Sequence, residues 1–311
     1  MKNLLWATLA IVMCLFAACS DDDDDKTPQG PVITYAGKLP SKVGNYIFEY
    51  DDNNRCVKVR YNSDELGEID YDKGLLISDG EEQAKVSFTG KGYIKSIKSS
   101  WDYKDEEGCY KGNGEISFSY KNDQLVSYSE EYNENSKEYG ESYSIKGTYK
   151  VTYTWKNGNL LQVDSEGSEI ENGEKSKERS TYTIEYGEQK NELGQFTMTQ
   201  SEVLDMEDAD IFGLVGMLGK ASAYFPISYT EEWYEESFDE SDRDGKSTVN
   251  TTYSFNQDGT IRTERMNSYS SYTYSYITVD GEELSGRSSQ LENDGKKWNF
   301  RSFFMRHGDR K

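Results

Sequence analysis

The single histidine of the chain, His307, falls among the last five residues, between Arg306 and Gly308. A Ser–His–Asp relay or an imidazole-ligated metal would rest on this one residue at the chain's end, so neither chemistry is expected. Carboxylates are abundant, with 57 Asp and Glu, but they run through every segment, and no pair stands apart as the acid and base of a glycosidase. Glu240-Ser241-Asp242-Arg243-Asp244-Gly245 matches the opening alternation of a calcium loop, yet Thr251 stands where the bidentate glutamate is required. The glycines cluster in turns and form no phosphate cradle between a strand and a helix. The four cysteines include no CxxC and no Cys/His grouping. These residues point away from an enzyme, a bound cofactor or a metal site.

One cysteine does have chemistry written around it. Lys2 supplies a positive start, residues 4–16 are almost unbroken apolar, and Leu15-Phe16-Ala17-Ala18 leads directly into Cys19. The stretch is shorter than the ~20 residues a spanning helix needs. It resembles a bacterial lipobox, with Phe16 where that pattern prefers an aliphatic residue, and the resemblance implies cleavage before Cys19 and lipid on its thiol. Residues 1–18 are then a signal peptide and residues 19–35 a tether. Residues 36–311 form a single β-rich domain. Ser20 and the run Asp21, Asp22, Asp23, Asp24 and Asp25 have no apolar surface to bury and stay solvated. This string resembles the export signal of Bacteroidetes surface lipoproteins, which implies an outer-membrane, lipid-anchored protein facing outward. Cys14 leaves with the signal, so Cys56 and Cys109 remain in the domain, and both a disulfide and two free thiols stay open.

Composition narrows the partners. A net charge of −22 and a pI near 4.5 exclude a nucleic-acid footprint and oppose docking on anionic lipid through the protein surface. The membrane partner is therefore reached through the lipid on Cys19. Hydrophobic residues are only 34%, but 25 Tyr, 12 Phe and 5 Trp can bury large areas and suit strands.

The elements that follow are hairpins. Tyr149, Val151, Tyr153 and Trp155 alternate with Lys150, Thr152 and Thr154, then Asn157-Gly158 turns the chain into Leu160, Leu161 and Val163. Similar units surround residues 51–54, 71–75, 88–93, 121–124 and 256–259. Period-2 alternation places aromatics on one face and Thr, Ser, Lys and Glu on the other. Polar stretches at residues 102–114, 133–142, 164–180 and 239–246 are expected to be long connections. The pattern predicts an all-β fold: a long antiparallel meander forming a strongly curved sheet or open barrel. Tyrosines run along whole strands, as at Tyr272, Tyr274 and Tyr276, instead of forming girdles, so a bilayer-spanning barrel is not expected.

The Tyr-x-Tyr or Tyr-x-Phe strand, the Asn/Asp/Gly turn and the Leu/Ile return resemble a family of Bacteroidales lipoproteins of unknown function with a porin-like fold. Its units are distantly similar to tyrosine-aspartate repeats. The resemblance covers residues 38–279 and implies a strongly curved or barrel-like antiparallel sheet in a soluble protein. It brings no catalytic residues.

Residues 203–223 break the repeat, and the apolar run 211–225 predicts one short helix plugging an open end of the sheet, with docking of a partner as the functional alternative. Trp101, Trp233 and Trp298 lie outside the clearest hairpins and are the expected exposed, ligand-facing aromatics. Two functions follow: a surface-displayed binding protein with a glycan as a fitting ligand, or a structural component contacting other envelope proteins. Replacing Asp21–Asp25 by neutral residues should leave lipid labelling of Cys19 intact while turning the protein from protease-accessible to protected in intact cells. Unchanged surface proteolysis would remove the export reading.

Overall fold

The computed structural model describes residues 35–279 and 283–284, apart from 63, 79–81, 105–107, 139–140, 207–208, 237–242 and 268–269. Eight strands are long, 11 to 17 residues each: β7 (Ile94–Lys104), β8 (Gly108–Lys121), β9 (Gln124–Glu138), β10 (Glu141–Lys156), β11 (Asn159–Glu171), β12 (Glu174–Lys190), β13 (Tyr224–Glu236) and β14 (Arg243–Phe255). Before them come β1 (Lys38–Val43), β2 (Tyr46–Tyr50), β3 (Cys56–Tyr61), β4 (Asp64–Asp70), β5 (Leu75–Ser78) and β6 (Glu82–Phe88), of 4 to 7 residues. After them come β15 (Ile261–Met266), β16 (Ser270–Thr278) and the two-residue β17 (Glu283–Leu284).

Each strand from β1 to β16 pairs antiparallel with the next, and β16 returns to β1 from Lys38–Thr278 to Val43–Tyr274. The meander expected from the sequence therefore closes completely, as a 16-stranded barrel. Closure removes the free edges that an open sheet would expose. The long and short strands share the end carrying the tight turns, so the surplus length of β7–β14 projects at the opposite end as a half-wall.

The turns form where their residues tolerate a left-handed backbone. Asn122-Asp123 and Asn157-Gly158 are two-residue hairpin turns with φ of 54° and 66°, and of 53° and 82°. A third, Asn172-Gly173 at φ 51° and 93°, lies inside the stretch 164–180 that was expected to be a connection. That expectation fails for 102–114, 133–142 and 164–180: apart from the turns, these residues are the outer ends of β7–β12. Their inward positions carry Glu, Ser and Gly in place of Leu or Val, so the apolar period disappears although the pleat continues. On β11, for example, the buried positions beyond Leu160 are Val163, Ser165, Gly167 and Glu169.

Glycine within these strands has a packing role. Four aromatics lie flat across a glycine directly opposite on the next strand: Trp101 on Gly112, Tyr132 on Gly147, Tyr149 on Gly167 and Trp233 on Gly245. A Cβ at Gly147 would fall 2.1 Å from the Tyr132 ring, and one at Gly112 would fall 2.5 Å from the Trp101 indole. The ring supplies the packing that glycine lacks, and glycine supplies the room the ring needs.

The turn end is closed by residues 191–223, between β12 and β13. The helical piece is a five-residue helix, α1 (Met198–Glu202), followed by a 3-10 turn at Asp210–Gly213. Helix thus begins ahead of the expected 203–223 because Thr197 caps it, accepting from Gln200 N, and Asp205 at φ 52° ends it. Positive φ at Gly216 and Gly219 keeps the later apolar run from continuing as helix. Ile211, Phe212, Leu214, Met217 and Leu218 are buried, each worth about 1.5–3 kcal/mol of transfer free energy. Backbone bonds stitch this plug to the turns: Ile94 N donates to Met217 O at 2.9 Å, Lys220 N to Asp123 O at 2.7 Å and Ala223 N to Gly158 O at 3.0 Å.

Gly147→Ala should lower stability by roughly 1–3 kcal/mol through overpacking against Tyr132. Gly90→Ala, where an added Cβ meets nothing within 4 Å, should leave the urea midpoint unchanged. Equal midpoints for the two variants would contradict the aromatic–glycine account.

Candidate functional site

The projecting half-wall brings together tyrosines, tryptophans and carboxylates on its concave face. Period 2 puts Tyr128, Glu130, Tyr132, Glu134 and Ser136 on the inside of β9, and all five are buried. The phenols and indoles are hydrogen-bonded to the acids. Trp101 Nε1 donates to Glu134 Oε2 at 2.7 Å, and Tyr128 and Tyr132 hydroxyls donate to Glu130 and Glu169, each at 2.5 Å. Lower down, the Tyr149 hydroxyl donates to Asp205 of the plug, and Tyr182 donates to Glu231 Oε1 at 3.0 Å. Such charge-assisted bonds offset part of the cost of burying a carboxylate.

The electrostatics are one-sided. On β8–β12 the described lysines and arginines, among them Lys111, Lys137, Lys146, Lys150, Lys177 and Arg179, occupy the alternate, exposed outer positions. The inward ionisable residues of these strands are acids and tyrosines. Burial, and then the carboxylates beside them, push Tyr132 and Tyr182 far above the ordinary phenol range. Burial raises Tyr35 and Tyr186 to about 12.

The expected ligand-facing tryptophans separate here. Trp101 is 8% exposed, so the expectation of an exposed ring is not met; its indole is enclosed between Gly112 and Glu134. Trp233 is half-buried on the inner side of β13, above Gly245, with Glu231 and Glu235 two residues to either side. Exposed Ser247 stands on the same inner face, opposite Glu231. Trp298, His307, Cys19, Ser20 to Asp25 and residues 240–242 lie outside the described residues, while Arg243 to Lys246, expected in a connection, begin β14.

Cys56 is buried and free, its thiol pushed up to about 12 by burial, whereas Cys109 is free and exposed on β8. Among the described residues, no group of three or more His, Cys, Asp or Glu is placed to hold a metal ion. What the concave face offers is hydrogen-bond acceptance and aromatic contact. Sequence reasoning missed the inward glutamates of β9 and the glycines beneath the rings. The spacing Tyr128-x-Glu130-x-Tyr132-x-Glu134 was the available signal.

The chain matches no family model and no curated protein. Solved structures similar to it include two porin-like proteins. A crystal structure of a porin-like protein from Bacteroides vulgatus ATCC 8482 is 16% identical, covering 77% of this chain and 98% of that one, with a TM-score of 0.44. A porin-like protein from Bacteroides uniformis ATCC 8492 is 12% identical, covering 63% of this chain and 90% of that one, with a TM-score of 0.25.

The raised tyrosines set an alkaline limit. Below pH 10 they are neutral in folded and unfolded chain alike, so their contribution to stability is intact. Above it, only the unfolded chain releases the protons, and stability falls until pH passes the folded values. Tyrosinate absorbance should therefore appear cooperatively with loss of tertiary structure between pH 10 and about 12. Smooth titration of most tyrosines near pH 10 in a folded protein would contradict this.

Proposed function

We propose that the protein is a lipid-anchored envelope protein, held through Cys19 and displayed outward behind the Ser20–Asp25 tether, whose barrel is a non-enzymatic binding domain and not a pore. The observation that carries this reading is the polarity of the barrel wall. On β10 the outer positions are Ser142, Ser144, Lys146, Thr148, Lys150, Thr152, Thr154 and Lys156, all exposed. A bilayer-spanning wall needs an apolar outer band instead. Among the described residues, the exposed large hydrophobics are Ile170, Ile227 and Val279, which form no band. The plug at the turn end opposes a channel as well.

The binding face of this reading is the shoulder around Trp233. An indole face between two carboxylates suits a glycan, whose apolar ring face stacks while its hydroxyls donate to Glu231 and Glu235. A specific observation also favours a structural or protein-interaction component: the Tyr–Glu network deeper in the wall is buried and already hydrogen-bonded. A glycan array paired with intrinsic tryptophan fluorescence separates the two. The binding reading expects a glycan that shifts the emission, with affinity reduced at least about tenfold by Trp233→Ala, the loss of one good contact. Absence of any responding glycan, or binding indifferent to Trp233→Ala, would leave the structural reading.

A further inference from the structure

The closed end of the barrel differs in charge from the rest of the chain. Exposed lysines stand beside the closed-end turns from β6–β7 to β12 and at the exit of the plug: Lys91, Lys121, Lys156, Lys190 and Lys220. The acids at these turns are Asp123, held by Lys91 at 2.6 Å and Lys220 at 2.9 Å, and the exposed Glu188 and Glu192. Bases thus outnumber acids along this arc, in a chain whose net charge is −22. Up the outer wall, β8 meets its first acid at Glu115, and the outer positions of β10 from Lys156 to Ser142 hold none. The strand from Lys121 to Glu115 covers about 20 Å, well beyond the ~8 Å over which exposed charges act at physiological salt. The acidic upper wall therefore does little to cancel the lysines below it.

The chain also enters the barrel at this end. β1 begins at Lys38, which pairs with Asp258 in the turn between β14 and β15, and Tyr35 just before it is buried beside Leu214 of the plug. On this other half of the closed end, Asp51 is paired with Arg55 at 2.7 Å and Asp70 with Lys73 at 2.8 Å, while Asp52 and Asp72 are exposed. The basic arc and the entry point of the chain therefore share one end of the barrel, and the mouth lies at the other.

We propose that the closed end is a membrane-facing surface: the arc of Lys91, Lys121, Lys156, Lys190 and Lys220 rests on anionic, phosphate-bearing lipid headgroups, and the mouth points away from them. The inference rests on the lipid-anchored reading and adds to it an orientation and a contact surface. Residues 19–34 span up to about 55 Å when extended, so a tether of this length leaves the barrel free to turn. The lysines supply the preference, because headgroups within a Debye length meet them before they meet the acids of the wall. In this orientation the shoulder at Trp233 is held clear of the bilayer.

The test uses the mature chain with Cys109→Ser, which removes the exposed second thiol. Its Cys19 is coupled to a maleimide lipid in vesicles of phosphatidylcholine, alone or mixed with phosphatidylglycerol. Amine acetylation, read residue by residue by mass spectrometry, should slow at the five lysines by at least about threefold on the mixed vesicles and recover at high salt. Lys137 and Lys146, higher on the wall, should react alike on both. Changing Lys121, Lys156 and Lys190 to Gln leaves the Asp123 pairs in place and should return Lys91 and Lys220 to their phosphatidylcholine rates. Equal acetylation on the two vesicle types would overturn the proposal, as would protection centred on Lys137 and Lys146. Because the lipid is attached chemically, failure of Cys19 to incorporate fatty acid in cells would remove the anchored reading without altering this result.

Discussion

Glu264 is the residue on which the closed end depends. Its side chain is fully buried on β15, where an ionised carboxylate without partners would be far too costly to keep. It is met by the backbone amides of Met198 and Thr199 at 2.9 and 2.8 Å, by Thr199 Oγ1 at 2.6 Å and by the Tyr274 hydroxyl. Three parts of the chain, distant in sequence, therefore share one carboxylate: the start of α1, β15 and β16. Once this is fixed, Gln195 reaches the adjoining turn, accepting from Ile261 N at 2.9 Å and donating to Gly259 O at 3.0 Å. The apolar run 211–218 follows, buried across the barrel's turn end.

That dependence explains how a wide barrel can be solid there. Sixteen strands enclose a lumen wider than side chains from the wall alone can fill. Tyrosine is well suited to the problem, since it extends far from the backbone and ends in a hydroxyl. Tyr153 reaches from β10 to the Leu204 carbonyl of the plug at 2.7 Å, and Tyr120 from β8 to the Ile94 carbonyl at 2.8 Å. Leucine in those places would leave buried carbonyls without a donor. The same length that makes tyrosine useful requires glycine opposite it wherever a ring lies flat on the neighbouring strand.

The fold was legible where apolar alternation and turn chemistry coincide. Tyr149 to Val163 reads as a hairpin because both signals are present, and residues 51–54 and 121–124 work the same way. Closure was not legible, because the β16–β1 pairing joins residues more than two hundred positions apart and has no local turn to announce it. The upper strands were missed because Ser, Glu and Gly fill their inward positions, and those residues ordinarily mark solvent. Asn172-Gly173 was the corrective signal, a hairpin dipeptide in the middle of an apparent polar connection. Trp101 was misplaced for a related reason: its burial depends on Gly112 and Glu134 from two other strands.

The polarity of the wall follows from the same arrangement. Acids that face inward on β9 and β11 leave the alternate outer positions to Lys, Thr and Ser, so the barrel has its charged, solvated surface outside and its aromatic surface within. That is the reverse of the order a lipid-facing barrel requires. An outer face of Lys, Thr and Ser offers a bilayer little apolar surface, however complete the closure. On the proposed reading, attachment would come from outside the barrel, through Cys19 and the tether behind it.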